Sequence, residues 1–124
     1  MLEIKPIQDK NEQEDACLKC GAAYHAEYFC YAAREGDTLL GICQFFLKNE
    51  TGYIDAIRAA DGVSDDDALF LMGRATLNFI NLCGIDRAIL LDDSDPALSK
   101  RIGFSETEDG LFMDLTNFFT AHNH

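Results

Sequence analysis

The chain has 124 residues, of which 48% are apolar, enough for one domain with its own core and too apolar for a disordered chain. Its formal net charge of −12 disfavours nucleic acids and anionic membranes as partners. No apolar run is long enough to predict a membrane span, and the first residues lack the apolar stretch of a secretory signal. We therefore expect one cytoplasmic domain, residues 1–124.

The first half of the chain predicts a strand, a helix and a three-stranded meander. Alternating apolar residues favour a short strand over Leu2–Ile7. Apolar residues then recur at helical spacing between residues 12 and 24. Three apolar runs separated by turn residues predict strands over Glu27–Arg34, Thr38–Leu47 and Tyr53–Ala60.

The second half begins with the clearest helical pattern, residues 68–83, which ends at Gly84. A continuous apolar strand follows, of the kind that is buried on both faces, and then a short helix that Asp95 caps. A hairpin closes the fold, and Phe118 and Phe119 in the tail could act as an aromatic anchor. These elements are predicted over Arg87–Leu91, Pro96–Ile102, Phe104–Glu106 and Leu111–Leu115.

The predicted order is β α β β β α β α β β, an α+β (α/β) arrangement. Residues 53–91 would form a right-handed βαβ unit. The sheet would be mixed and mostly antiparallel, with a parallel pair in the middle and helices on its faces.

The chain has five cysteines, an odd number, so they cannot all form disulfides with one another. We expect free thiols in the core. Cys17 and Cys20 have the spacing of half a zinc site, but no second pair of ligands is present. The sequence therefore predicts no metal site.

A loop with the sequence GVSDDDAL, Gly62–Leu69, joins the last strand of the meander to the long helix. A helix N-terminus after a strand is a common anion site. Ser64 and Asp67 fit a capping box, with Ser64 as the N-cap, and acids there would repel a diphosphate by about 1 kcal/mol or more each. The sequence thus predicts a loop built to cap the helix. A basic patch could compensate for these acids, formed by Arg58, Arg74, Lys100 and Arg101.

Three stretches in this order resemble the GCN5-related N-acetyltransferase superfamily. They are GDTLLGICQFF (residues 36–46), the unit from Tyr53 to Leu91 with its CGI phrase, and ALSKRIGF (Ala97–Phe104). The resemblance covers nearly the whole chain and implies a sheet of that family's type with a central βαβ unit. It also implies acetyl-CoA as the cofactor, without a metal, and transfer of an acetyl group to an amine.

The resemblance also implies roles for particular residues. In that family a Gln/Arg-x-x-Gly-x-Gly/Ala loop holds the pyrophosphate of coenzyme A on backbone N–H groups; Val63, Asp66 and Ala68 stand at its defining positions here. Ser99 stands where the family commonly has a tyrosine general acid. Asp55 stands where the fourth strand often carries the general base, with Tyr53 and Glu27 as weaker candidates. The implied cofactor contacts are Ile57, Ala59, Val63, Ser64, Asp66 and Ala68.

The acidic composition favours a cationic acceptor, a small-molecule amine or a peptide amine. The segment between the first two strands is short for the family, which makes a homodimer plausible. The alternative function is a non-catalytic module of the same fold. An open gap between strands 53–60 and 87–91, with free N–H groups at 64–68, would favour the enzyme. A gap filled by aspartate side chains or by Phe118 and Phe119 would favour the module.

Overall fold

The computed structural model describes residues 1–116 and contains ten elements in the predicted order. The predicted anchor, Phe118 and Phe119, lies outside the described residues. The strands are β1 (Leu2–Pro6), β2 (Phe29–Glu35), β3 (Thr38–Lys48), β4 (Thr51–Ala59), β5 (Arg87–Leu90), β6 (Ser105–Thr107) and β7 (Gly110–Asp114). The helices are α1 (Lys10–Lys19), α2 (Asp66–Leu82) and α3 (Pro96–Ile102).

The seven strands form one sheet in the order β1-β2-β3-β4-β5-β7-β6. Strands β4 and β5 are parallel, and every other neighbouring pair is antiparallel. Helix α2 connects the two parallel strands, which confirms the predicted βαβ unit. The mixed, mostly antiparallel sheet with three helices confirms the α+β prediction.

The helices lie on the sheet in two separate apolar clusters. The larger contains Met72 and Ile80 of α2 with Phe45 and Ile54 of the sheet. The smaller contains residues of α1, including Cys17, with Ile42 and Ala56 and other sheet residues. Since neighbouring residues of a strand point to opposite faces, α2 and α1 cover opposite faces of the sheet.

Helix α1 is shorter than the predicted 12–24 and begins earlier. Asp9 caps its start, because the Asp9 carboxylate accepts the N–H groups of Asn11 and Glu12 at 2.8 and 3.1 Å. The chain leaves the helix by Gly21, whose φ of 67° is in the left-handed region.

The burial of β5 differs from the prediction. Ala88 and Leu90 are buried against α2, Ile89 is only half-buried, and Leu91 just beyond the strand is exposed. The expectation of burial on both faces was therefore wrong.

Four of the five free cysteines are buried, and Cys83 is exposed. Burial raises the pKa of the Cys20 thiol to about 11 and that of Cys43 to about 12. Within residues 1–116, no group of three or more His, Cys, Asp or Glu side chains could hold a metal ion. None of the helices in that part of the chain has the length and apolarity that a membrane span requires.

Gly52 fixes how closely α2 approaches β4. A Cβ added at Gly52 would lie 2.7 and 2.8 Å from two carbons of the fully buried Ile80. Real Cβ atoms do not come this close, so only glycine fits between the strand and the helix.

We expect Gly52→Ala to lower the free energy of unfolding by about 1–3 kcal/mol, because the new methyl group overpacks the contact with Ile80. Urea unfolding of the purified variant measures this loss. In an Ile80→Ala background, which removes the clashing carbons, the same substitution should cost clearly less. An equal cost in both backgrounds would contradict the steric explanation.

Candidate active site

A β-bulge in β4 is the first feature of the site. Phe45 of β3 pairs with Ile54, and Gln44 pairs with Ala56, so Asp55 between them has no partner residue on β3. A bulge bends its strand and increases the local twist. The bulge therefore turns the second half of β4 away from its earlier course.

The pairing of β4 with β5 ends beside this bulge. The parallel ladder covers three residue pairs, from Gly52 with Ala88 to Ile54 with Leu90. One further bond joins Leu91 N–H to the Ile54 carbonyl at 2.8 Å. Beyond it no backbone hydrogen bond joins the two strands within the described residues, and we call the region between Ile57–Ala59 of β4 and Leu91–Asp92 the cleft.

The Asp92 carboxylate lies in this cleft. Its Oδ2 atom accepts the Ile57 N–H at 3.1 Å and the Arg58 Nε–H at 2.8 Å. Its Oδ1 atom accepts the Ser94 N–H at 3.0 Å. The Asp92 side chain is only 3% exposed, whereas that of Arg58 is 41% exposed. An aspartate therefore occupies the strand N–H that the cleft would otherwise offer to a ligand.

Charge and hydrogen bonding keep Asp92 ionised. Burial alone would raise its pKa, but the hydrogen bonds from Arg58, Ser94 and the Ile57 N–H outweigh burial, so the pKa of Asp92 lies below its ordinary value. In turn, the hydrogen bond to Asp92 raises the pKa of the Arg58 guanidinium.

The next strand N–H that faces the cleft belongs to Ala59. Backbone groups of alternate residues in an antiparallel strand point to the same edge, and the Ile57 N–H already points away from β3. No hydrogen bond to the Ala59 N–H is found among residues 1–116 outside the sheet ladders.

The loop after β4 does not have the predicted capping box. Asp65, and not Ser64, is the N-cap of α2, and its carboxylate accepts the Ala68 N–H at 3.0 Å. Asp67 does not reach back along the chain; it pairs with Arg101 of α3 at 2.7 Å. The helix begins at Asp66, one residue later than a cap at Ser64 requires, so Asp65 takes the cap position.

As a result, the acids leave most of the loop N–H groups open. Within the described residues, no hydrogen bond uses the N–H groups of Ser64, Asp66 or Asp67. The Val63 N–H is bonded to the Ala60 carbonyl at 2.9 Å, and its side chain packs on both apolar clusters. Of the predicted loop contacts, Ser64 and Asp66 therefore retain a free donor, whereas Val63 and Ala68 do not.

Part of the predicted basic patch forms beside this loop. The Arg101 guanidinium lies 4.4 Å from the ring centre of Phe70, and the Arg74 guanidinium lies 5.5 Å from it. Arg101 and Arg74 therefore stand next to the first turns of α2. Arg58 is committed to Asp92 in the cleft and does not join them.

Asp55, the predicted general base, is 25% exposed at the bulge. Its Oδ2 atom accepts the Gln44 Nε2–H at 3.1 Å and lies 4.0 Å from Nε2 of His25. The His25 ring stacks on Tyr28 with 4.5 Å between ring centres, and Tyr28 stacks on Phe46 at the same distance. The bulge thus carries a partly exposed carboxylate beside a row of stacked rings.

Ser99, the predicted general acid, is buried in α3. Its hydroxyl donates to the Pro96 carbonyl at 2.9 Å, within its own helix. The structure does not place this hydroxyl with the groups of the cleft, and its catalytic role stays a prediction.

Sequence reasoning missed two residues of this site, Asp92 and Gln44. Asp92 directly follows an apolar strand of a βαβ unit, which is where ligand-binding residues of such units gather, and this was the available signal. Gln44 is a polar residue inside an apolar strand, and that signal was also present in the sequence.

The pairing of Asp92 should make stability depend on pH. Folding lowers the pKa of Asp92. Its ionised form therefore contributes fully to the free energy of unfolding above the pKa of an aspartate in the unfolded chain, about 3.9. That contribution is lost as the pH falls through the lower pKa of Asp92 in the folded protein. The difference in unfolding free energy between the wild type and Asp92→Asn should therefore shrink from about pH 6 to about pH 3. Urea unfolding measures it, with the exposed Asp93→Asn as the matched control. A difference that does not change with pH would contradict this assignment.

Comparison with known proteins shows which solved structures share this fold. No family model and no curated protein matches the chain. Among solved structures, IAA acetyltransferase from Bacillus cereus has a TM-score of 0.72 at 18% identity and covers 87% of this chain and 79% of its own. A GNAT family acetyltransferase from Brucella melitensis in complex with acetyl-CoA has a TM-score of 0.69 at 15% identity, covering 92% and 88%. Spermidine N-acetyltransferase from Vibrio cholerae has a TM-score of 0.73 at 9% identity, covering 97% of each chain. The chain therefore has the fold of the GCN5-related N-acetyltransferases.

Proposed function

We propose that this protein is an N-acyltransferase that transfers the acetyl group of acetyl-CoA to a primary amine. The observation that carries the proposal is a set of backbone N–H groups that donate to no described acceptor. One is the Ala59 N–H on the cleft side of β4, and the others are those of Ser64, Asp66 and Asp67 at the start of α2. An extended ligand with a diphosphate fits such a set, because the N–H groups of the second site lie at the positive pole of a helix.

The chain's own residues would hold the donor at two points. The N–H groups of Ser64, Asp66 and Asp67 donate no described intramolecular hydrogen bond and would bind the diphosphate. Arg101, which now pairs with Asp67, would add positive charge beside it. The Ala59 N–H would orient the part of acetyl-CoA that connects its diphosphate to the thioester. The exposed acids of the loop weaken this site without blocking its donors.

Asp55 is the residue we propose as the general base. When bound, acetyl-CoA supplies the thioester, and the amine nitrogen forms a C–N bond to the acyl carbon as the C–S bond breaks. Asp55 takes the proton that the amine loses, directly or through a water molecule. A strand N–H at Ile57 or Ala59 stabilises the negative charge on the acyl oxygen. The thiolate of coenzyme A leaves and takes a proton from solvent.

The acceptor we propose is a cationic amine, small or on a peptide. The formal net charge of −12 attracts cations, and Asp55 with the neighbouring rings can bind an ammonium group before it is deprotonated. The Vibrio cholerae neighbour is a spermidine N-acetyltransferase, which makes spermidine the first acceptor to test. Assembly as a homodimer remains part of the proposal.

One observation favours the second candidate, a non-catalytic module. The Asp92 carboxylate fills the cleft and holds the Ile57 N–H, so a donor must displace it to use that group. If Asp92 is never displaced, the fold would serve only to bind a partner. Binding of acetyl-CoA separates the two candidates.

We expect acetyl-CoA to raise the melting temperature of the wild type, by the equivalent of about 2.7 kcal/mol at 100 times its Kd. Two neutral variants at the first helical position test the contact. Asp66→Ala removes a charge and keeps the N–H, so it should bind more tightly than the wild type. Asp66→Pro removes the N–H as well, at a position where proline is tolerated, and should bind more weakly than Asp66→Ala.

Calorimetric titration of all three proteins gives the Kd values. If Asp66→Ala and Asp66→Pro bind equally, the helix N-terminus is not the diphosphate site. If the wild type, Asp66→Ala and Asp92→Ala all fail to bind, the acyltransferase proposal fails and the non-catalytic module remains.

Asp55→Asn should lower kcat for acetylation of spermidine by about 10²–10⁴-fold, because the amide cannot take the proton. Release of free coenzyme A, followed with a thiol reagent, measures the rate. The acetyl-CoA affinity should not change, since Asp55 lies before the cleft in β4. Unchanged kcat would remove Asp55 from the mechanism. The matched control is Asp61→Asn, an exposed carboxylate later in the same segment.

A further inference from the structure

Gln44 is a buried glutamine whose amide oxygen and amide nitrogen are both used in hydrogen bonds. It lies in the middle of β3, is 1% exposed, and stands opposite the bulge that carries Asp55. Its Nε2 atom donates to the Ala23 carbonyl at 2.8 Å and to Asp55 Oδ2 at 3.1 Å. Its Oε1 atom accepts the His25 N–H at 3.1 Å, with Cys17 Sγ 3.8 Å away.

These partners fix the orientation of the amide. The Ala23 carbonyl and the Asp55 carboxylate can only accept, and the His25 N–H can only donate. Turning the amide over would set its oxygen against the Asp55 carboxylate and its NH₂ group against the His25 N–H. Only one orientation satisfies the site, and an ionised glutamate in its place could not donate to Asp55.

The bonds of Gln44 join three parts of the protein that are distant in sequence. Cys17 belongs to α1, Ala23 and His25 belong to the segment before β2, and Asp55 is the unpaired residue of β4. Burying an amide costs stability unless the amide is hydrogen-bonded. An apolar residue would avoid this cost, so the amide at this position needs a role that an apolar side chain cannot perform. Fixing the Asp55 side chain supplies that role.

The bond also distinguishes the two oxygen atoms of Asp55. Oδ2 accepts from Gln44, and no described residue donates to Oδ1. Gln44 therefore ties one oxygen to the core and leaves the other for a ligand at the partly exposed bulge.

We propose that Gln44 is a positioning residue, which holds the Asp55 carboxylate and the Ala23–His25 segment in the geometry that the acceptor amine requires. This rests on the proposed function, in which Asp55 takes the proton of the amine. Gln44 itself touches neither substrate. It acts by keeping Oδ1 of Asp55 free and turned to one side.

The test uses a matched pair of buried glutamines. Gln13 of α1 is 3% exposed and bonds the Ile7 carbonyl, with no contact to Asp55. Gln44→Met should lower kcat/KM for spermidine by about 10- to 100-fold, the range expected for loss of a hydrogen bond to a charged group. Gln13→Met should leave it unchanged. Gln44→Glu keeps the shape but can donate to Asp55 only while its carboxyl is protonated, so its activity should fall toward that of Gln44→Met as the pH rises.

The same substitution is then made in an Asp55→Asn background. If Gln44 acts through Asp55, Gln44→Met should have little further effect there. An equal loss in both backgrounds would mean that Gln44 only supports the fold, and the proposal would be overturned. Wild-type kcat/KM in Gln44→Met would overturn it too.

A measurement without turnover separates this proposal from the proposed function. The carboxyl ¹³C resonance of Asp55 and the amide resonance of His25 should move in Gln44→Met and Gln44→Glu and stay in place in Gln13→Met. If they move but the wild type acetylates no amine, the proposed function fails while Gln44 still positions Asp55. If they do not move, Gln44 does not position Asp55, whatever the enzyme does.

Discussion

The unpaired residue in β4 is the constraint on which the rest of the site depends. Without it, β4 would continue beside β5, and the N–H groups of Ile57 and Ala59 would be used in a longer parallel ladder. The bulge ends that ladder after three pairs and opens the cleft. It also turns a carboxylate, Asp55, toward the segment that holds His25. One extra residue thus creates both the backbone edge for a donor and the acid beside it.

In the cleft, the Asp92 carboxylate and a bound ligand would compete for the same backbone donor, the Ile57 N–H. A strand N–H that loses its neighbour must find another acceptor, because a buried unpaired donor costs about 1–3 kcal/mol. In this chain Asp92 provides that acceptor, and Arg58 balances its charge. The arrangement stabilises the protein without a ligand and weakens the binding of any ligand that needs the Ile57 N–H. In the loop after β4 most N–H groups stay open, since its aspartate carboxylates bond only one of them, that of Ala68.

The order of the elements could be predicted because each run between turn residues has one clear period, helical over residues 68–83 and alternating in the hairpins. The helix cap could not, because three neighbouring residues, Ser64, Asp65 and Asp66, all suit an N-cap. Distant contacts also matter there: Asp67 pairs with Arg101, which is 34 positions later. Asp92 was hidden for a related reason. It lies between β5 and the cap of α3, Asp95, and only the folded arrangement of β4 and β5 brings it to the Ile57 N–H.

The short parallel ladder also has a consequence for how the sheet is assembled. Gly52 and Ala88, its first pair, are 36 positions apart, whereas β3 and β4 are joined through a turn of two residues, Asn49 and Glu50. Closing a long loop costs more conformational entropy than closing a turn. Three residue pairs must offset this cost where β5 joins the meander. The seam between the locally connected strands and the rest of the sheet therefore coincides with the cleft, so the candidate active site lies where the two parts of the sheet are joined over the longest stretch of chain.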